Sequence, residues 1–317
     1  MLGTNFRPLV DAFTILRRSR RLASFVSFSL AFAVCVTGCR TTPQVFHKEF
    51  DRSLIGTEPV KVRSTIAQDD IFVPFKATHS PPVKSSNFDL IGGIVDAIFE
   101  APHQVANEER EKEAKRRMAP LLAQTLNVEF RANFWDALKQ TLKESPTMKF
   151  GDVETSRQTR PVSVEELRTQ PLLVLDTGYR LSSDCAVLMV QTKANYYEAG
   201  NNRPVYFGYY TYFAEVPDAR PDAAITKWAG DGAALYKSAV AEAIKETMKM
   251  LRADLFQGTT PGAAQGETVA KFRSPDDFLL SKIGDYKGAL VETDGDRVLF
   301  RENGGNLFAL PKRAIIK

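Results

Sequence analysis

The chain has 317 residues, 44% hydrophobic and 25% charged. These are ordinary globular values, and they exclude a disordered chain, a collagen-like fibre and a polytopic membrane protein. The formal net charge is +4, but Arg7, Arg17, Arg18, Arg20 and Arg21 stand against Asp11 alone in residues 1–38 and the remainder balances to zero, so the charge is no nucleic-acid footprint.

Arg17, Arg18, Arg20 and Arg21 form a basic cluster, and an apolar run interrupted only by serines follows over residues 22–36. The run is shorter than the about 20 residues that a spanning helix needs. It has the length of a secretory apolar core instead. It ends in Val36-Thr37-Gly38-Cys39, which resembles the lipobox of bacterial lipoproteins. The resemblance implies that the signal, residues 1–38, is cut between Gly38 and Cys39. It also implies that the Cys39 thiol takes a diacylglycerol and the new amine a further acyl chain such as palmitate. Arg40, where an Asp would mark inner-membrane retention, implies the outer membrane, with the chain facing the periplasm. The membrane is then a partner through the acyl chains. Of three cysteines only Cys185 is left, so no internal disulfide is possible. It reads as a small buried hydrophobe.

Residues 39–58 read as a tether. An α+β domain is expected over 59–257, a linker over 258–270 and a small β-module over 271–317. Within the domain, 60–66 and 71–76 have strand character, 79–87 is loop, and 89–99, with Gly92-Gly93, is a short apolar helix. A helical stretch follows over 105–145 with a break near Pro120. Its charge-dense part carries Glu108–Lys112, Glu111–Lys115 and Glu113–Arg117 at the favourable i,i+4 spacing. Asn127 is a candidate cap for a helix with Phe134, Trp135, Leu138 and Leu142 on one face. Then the period changes to two. Residues 172–182, 185–197 and 204–216 predict an antiparallel meander with turns at Ser183-Asp184 and Gly200-Asn201-Asn202. Asp231 can cap a long helix ending near Phe256, with Val240, Ile244, Met248, Leu251 and Leu255 as its core stripe. In the module, 288–292, 297–301 and 306–310 are short strands, with turns at Asp294-Gly295 and Gly304-Gly305. The expected fold class is α+β: an antiparallel sheet with helices packed on one face, plus a small C-terminal SH3-like β-module.

Nothing in the chain has the spacing of a nucleophile elbow, a zinc helix, a phosphate loop or a dinucleotide fingerprint. His47, His79 and His103 fall in tether or loop-like sequence, so no metal, cofactor or catalytic residue is assigned. Glu165-Glu166 and Asp276-Asp277 read as charge at element starts. Glu292-Thr-Asp294-Gly-Asp296 is a hairpin turn rather than a calcium loop. The third meander strand is unusual, because alternation puts Phe207, Tyr209 and Phe213 on one face and Tyr206, Tyr210 and Tyr212 on the other. It is a covered central strand, a tyrosine-lined surface for a protein or glycan, or half of a transmembrane hairpin. Tyr206, Tyr210 and Tyr212 are the candidate partner-binding residues.

The element order is similar to that of envelope lipoproteins such as the curli-secretion pore lipoprotein and the lipoprotein activators of penicillin-binding proteins. That similarity implies a non-enzymatic domain that binds an envelope partner. The expected function is therefore an outer-membrane-anchored accessory or scaffold for an envelope complex, binding a protein or glycan and no nucleic acid. The alternatives are an oligomeric secretion-pore subunit and an envelope enzyme with a site assembled from scattered residues.

Overall fold

The computed structural model describes residues 50, 56, 58–71, 104–182, 184–216, 220–256, 269–273 and 285–316. All of them belong to one unit, Phe46–Lys317. Gly38, Cys39, the tether before Phe50, most of the 71–76 strand, the 89–99 helix, the three histidines, Asp276-Asp277 and most of the linker lie outside the described residues.

The described residues form an α+β fold. Three helices, α1 (Gln104–Thr125), α2 (Phe130–Lys143) and α3 (Pro221–Leu251), accompany one sheet. Its strands are β1 (Val60–Thr65), β2 (Phe150–Ser156), β3 (Leu172–Leu181), β4 (Val187–Tyr197), β5 (Tyr206–Glu215), β6 (Val269–Arg273), β7 (Asp285–Asp294), β8 (Arg297–Glu302), β9 (Leu307–Pro311) and β10 (Ile315–Ile316). They lie in the order β10-β6-β7-β8-β9-β5-β4-β3-β1-β2.

The meander β3-β4-β5 is antiparallel as expected. The sheet as a whole is mixed, which corrects the all-antiparallel expectation. β1 runs parallel to both β2 and β3, and β9 runs parallel to β5. Parallel neighbours need a long crossover. Helices α1 and α2 lie in the chain between β1 and β2, and α3 with β6–β8 lies between β5 and β9. The C-terminal strands thus continue the main sheet through β9.

The principal core lies between α1, α2, α3 and one sheet face. It takes Phe134, Leu138 and Leu142 from α2 and the whole expected stripe of Val240, Ile244, Met248, Leu251 and Leu255. The other face carries two smaller cores. Val187, Met189, Phe213, Val298, Phe300, Phe308 and Leu310 form one under the C-terminal strands. Leu167, Leu172 and Val174 form the other. Two kinds of sheet cover explain why β5 is aromatic on both faces.

Three helix boundaries differ from expectation. Pro120 lies inside α1, and the chain breaks at 126–129 instead. Glu129, not Asn127, precedes α2, and its side chain makes no capping bond. Helix α3 starts at Pro221, whose fixed φ suits a first turn, and Asp231 sits inside a break rather than at the start. There Asp231, Gly232 and Ala233 are left-handed, with φ of 50°, 66° and 62°. After Leu251 one π-helical turn, Arg252–Phe256, closes the helix. Among the described residues, no helix is long and apolar enough to cross a membrane.

Candidate functional site

Tyr206, Tyr210 and Tyr212 point to the helix side of β5, on the same face as Thr192 and Val190 of β4 by register. They are 1%, 0% and 0% exposed, so the expectation of an accessible tyrosine surface is corrected. Their rings belong to the principal core, and their hydroxyls meet buried partners instead of water. On the opposite face Phe213 is buried, whereas Phe207 and Tyr209 are half-buried.

A dry joint forms where the end of α3 meets β5 and β8. The Tyr206 hydroxyl donates to Asp254 Oδ2. Tyr210 Oη lies 2.9 Å from Tyr206 Oη and 3.2 Å from Asp254 Oδ2, so its single proton is shared between two acceptors. Arg301 Nη1 donates to Asp254 Oδ1 at 2.8 Å, and neither side chain of this ion pair is more than 8% exposed. The π turn carries Asp254 to this position, and such turns recur at functional sites. Gly208 makes the remaining room. A methyl group there would overlap the Tyr206 hydroxyl and stand 3.1 Å from Tyr210 Oη. Burial, with the Asp254 carboxylate beside them, pushes both phenols well above their ordinary range. They remain proton donors.

A wetter joint lies higher on the same three elements. Arg297 donates from Nε to Glu242 Oε1 at 2.6 Å, from Nη1 to the Phe213 carbonyl at 2.7 Å and from Nη2 to Tyr212 Oη at 2.7 Å. Tyr212 donates to Glu242 Oε2 at 2.8 Å. The guanidinium also lies over the Tyr212 ring, 4.3 Å from its centroid, a favourable cation–π placement. Burial opposes ionisation of Glu242, but the hydrogen bonds from Arg297 and Tyr212 outweigh it and lower the carboxyl. Its neighbour Glu246 is raised, with burial as the largest cause. Lys249 reaches Glu292 at 2.8 Å and Asp294 at 3.5 Å, so the acidic 292–296 segment is a hairpin turn engaged by a helix lysine.

The other edge of the sheet holds a third cluster. Arg63 is buried and donates from Nη1 to Glu166 Oε2 at 3.0 Å and from Nη2 to the Arg160 carbonyl at 3.0 Å. Arg160 bridges Glu154 at 2.8 Å and Glu166 at 3.2 Å. Glu166 is therefore a buried pin for residues 157–170 rather than charge at a helix start. Cys185 is fully buried with φ of 59°, and burial pushes its thiol up to about 11.

The dry joint holds β5, α3 and β8 together. The phenols stay protonated and Asp254 is paired and buried. Among the described residues, no group of three or more His, Cys, Asp or Glu is placed to hold a metal ion. Sequence reasoning singled out the tyrosines but not Asp254, Glu242, Arg297 or Arg301. A signal was present. Asp254 follows Leu251 by three residues, on the apolar side of the stripe, and Arg297 and Arg301 bracket Leu299 at the inward positions of an alternating strand.

No protein-family model matches the chain, and no curated protein matches it. Its role must be argued from its own residues.

Proposed function

We propose that the chain is an outer-membrane lipoprotein, held by acylated Cys39 and facing the periplasm, whose domain is an accessory or scaffold for an envelope complex. The observation that carries this reading is the order of three features: the arginine cluster, the apolar run and Val36-Thr37-Gly38-Cys39. More than one acyl chain on Cys39 makes anchoring stable. A scaffold role is supported by the polar chemistry of the interior, which goes into the joints that fix β5, α3 and β8 to one another.

The C-terminal strands support an SH3-like module. They follow the order β10-β6-β7-β8-β9, and a three-residue 3₁₀ turn, Lys312–Ala314, separates β9 from β10. With Tyr206, Tyr210 and Tyr212 in the core, the module over 286–314 is the first surface on which to seek a protein or glycan partner. Cys39→Ser should abolish incorporation of labelled palmitate and block maturation. A variant that still labels and still fractionates with membranes would overturn the reading.

A further inference from the structure

Phe50 is 5% exposed, although it lies shortly after Cys39 in sequence. Its ring meets Tyr196 and Tyr206 edge-on, at 5.2 Å between centroids and interplanar angles of 86° and 84°. Edge-to-face contact is a preferred aromatic geometry. Tyr196 and Tyr206 are directly opposed on β4 and β5, the last rung before the turn that joins them. Tyr206 is held in turn by Asp254, and Asp254 by Arg301. The seat is therefore fixed to the helix end and to the C-terminal strands.

We propose that Phe50 is a tether clasp that keeps the β4–β5 turn end of the sheet close to the membrane surface, the remainder of the sheet extending away. The proposal rests on the lipid-anchor reading above. Eleven peptide units separate Cys39 from Phe50, and they span at most about 40 Å. Val60, the first residue of β1, is twenty-one units from Cys39, a reach of at most about 75 Å. Seating Phe50 roughly halves the leash. Strand β4 has 11 residues and is about 35 Å long, so its Tyr197 end stays within the reach of the short leash while its Val187 end can stand about 35 Å farther out.

The test uses the full-length protein in vesicles of phosphatidylethanolamine and phosphatidylglycerol that carry an acceptor-labelled lipid. A donor dye is attached through Asn202→Cys in the β4–β5 turn or Asp296→Cys in the β7–β8 turn at the opposite end. Cys185 does not compete, because its thiol is buried and its pKa raised. Energy transfer to the lipid should be stronger from position 202 than from 296. A flexible insert of about ten Gly/Ser residues after Thr42 should lower transfer from 202. The same insert after Gly56 lies beyond the clasp and should leave it unchanged. In a Phe50→Ala background both inserts should lower it. Equal transfer from the two positions, or equal effects of the two inserts in the wild-type background, would overturn the clasp. The mass of the N-terminal peptide separates the two ideas. A peptide without acyl chains sinks the anchor reading and the clasp with it, whereas an acylated protein indifferent to insert position sinks the clasp alone.

Discussion

The two joints on the inner face of the sheet are made of the same parts in different surroundings. Each has tyrosine from β5, a carboxylate from the α3 region and an arginine from β8. Asp254 and Arg301 are 4% and 8% exposed as side chains, while Glu242 and Arg297 are 42% and 14% exposed. In the dry joint Asp254 and Arg301 are buried opposite charges, so removing one leaves the other without its counter-charge where water cannot replace it. In the wet joint solvent reaches the glutamate and can take over part of the lost contact. A buried pair is therefore weak proof of net stabilisation yet costly to break on one side, and a part-exposed pair is forgiving in both respects.

The largest effect should come from breaking the dry joint. Arg301→Ala removes the buried cation that faces Asp254, and the expected loss is about 3–5 kcal/mol. Urea titration of the full chain measures it. A double change to Asp254→Asn with Arg301→Met should recover a substantial part of that loss, because no buried charge is then stranded. If the double variant is no more stable than Arg301→Ala, the cost lies in packing rather than charge.

Arg297→Ala breaks the wet joint. Its hydrogen bonds involve a charged donor, so about 1.5–3 kcal/mol is expected, below the value for Arg301. Arg297→Lys should fall in between, since an ammonium cannot reproduce the fork on Glu242 or the stacking on Tyr212. A loss equal to that of Arg301→Ala would erase the distinction between the joints.

Gly208→Ala probes the dry joint without touching a charge. The added methyl meets the Tyr206 hydroxyl, and overpacking of this kind costs about 1–3 kcal/mol. The same change paired with Tyr206→Phe should cost less than the sum of the two, because the phenylalanine no longer carries the oxygen the methyl strikes. Strict additivity in that double-mutant cycle would place the strain elsewhere.

The difference between the joints also marks what the sequence could disclose. Period-two alternation over 172–216 gave the meander and its faces, because the principal core takes alternate residues of each strand. The stripe from Val240 to Leu255 gave the helix packing because one face of the helix enters the principal core. Strand β2 went unseen because Phe150–Ser156 is an edge strand, largely polar and only partly covered, so no apolar period marks it. The parallel placement of β1 depends on partners far along the chain, which local pattern does not encode. The aromatic strand was visible, but its environment was not. Six rings on two faces are compatible with core or surface until Asp254 and Arg301 are known to lie against them. Both are charged residues in apolar registers, and that mismatch is the one local sign of the dry joint.

The smallest effect concerns acid, and it separates two neighbouring glutamates on α3. Glu242 has its carboxyl lowered, so its contribution is fully present above the ordinary glutamate range and is lost as pH falls through the lowered folded-state value. Glu246 has its carboxyl raised, so stability is lost as pH rises through the raised folded-state value. Both statements follow from the folded and unfolded states binding different numbers of protons. The groups facing the two carboxyls are Arg297, Tyr212, Lys245 and Lys249. At neutral pH, Glu242→Gln should lower the urea midpoint, because the amide cannot accept two charged hydrogen bonds. Glu246→Gln should raise it, because a disfavoured charge is gone. Below the ordinary glutamate range of about pH 4, Glu246→Gln should converge on the wild type, whereas Glu242→Gln should converge only below the lowered folded-state value of Glu242, where the protonated acid and the amide are nearly equivalent. Midpoints that move in the same direction for the two variants at neutral pH would show that the wet joint does not distinguish an engaged carboxylate from a merely buried one.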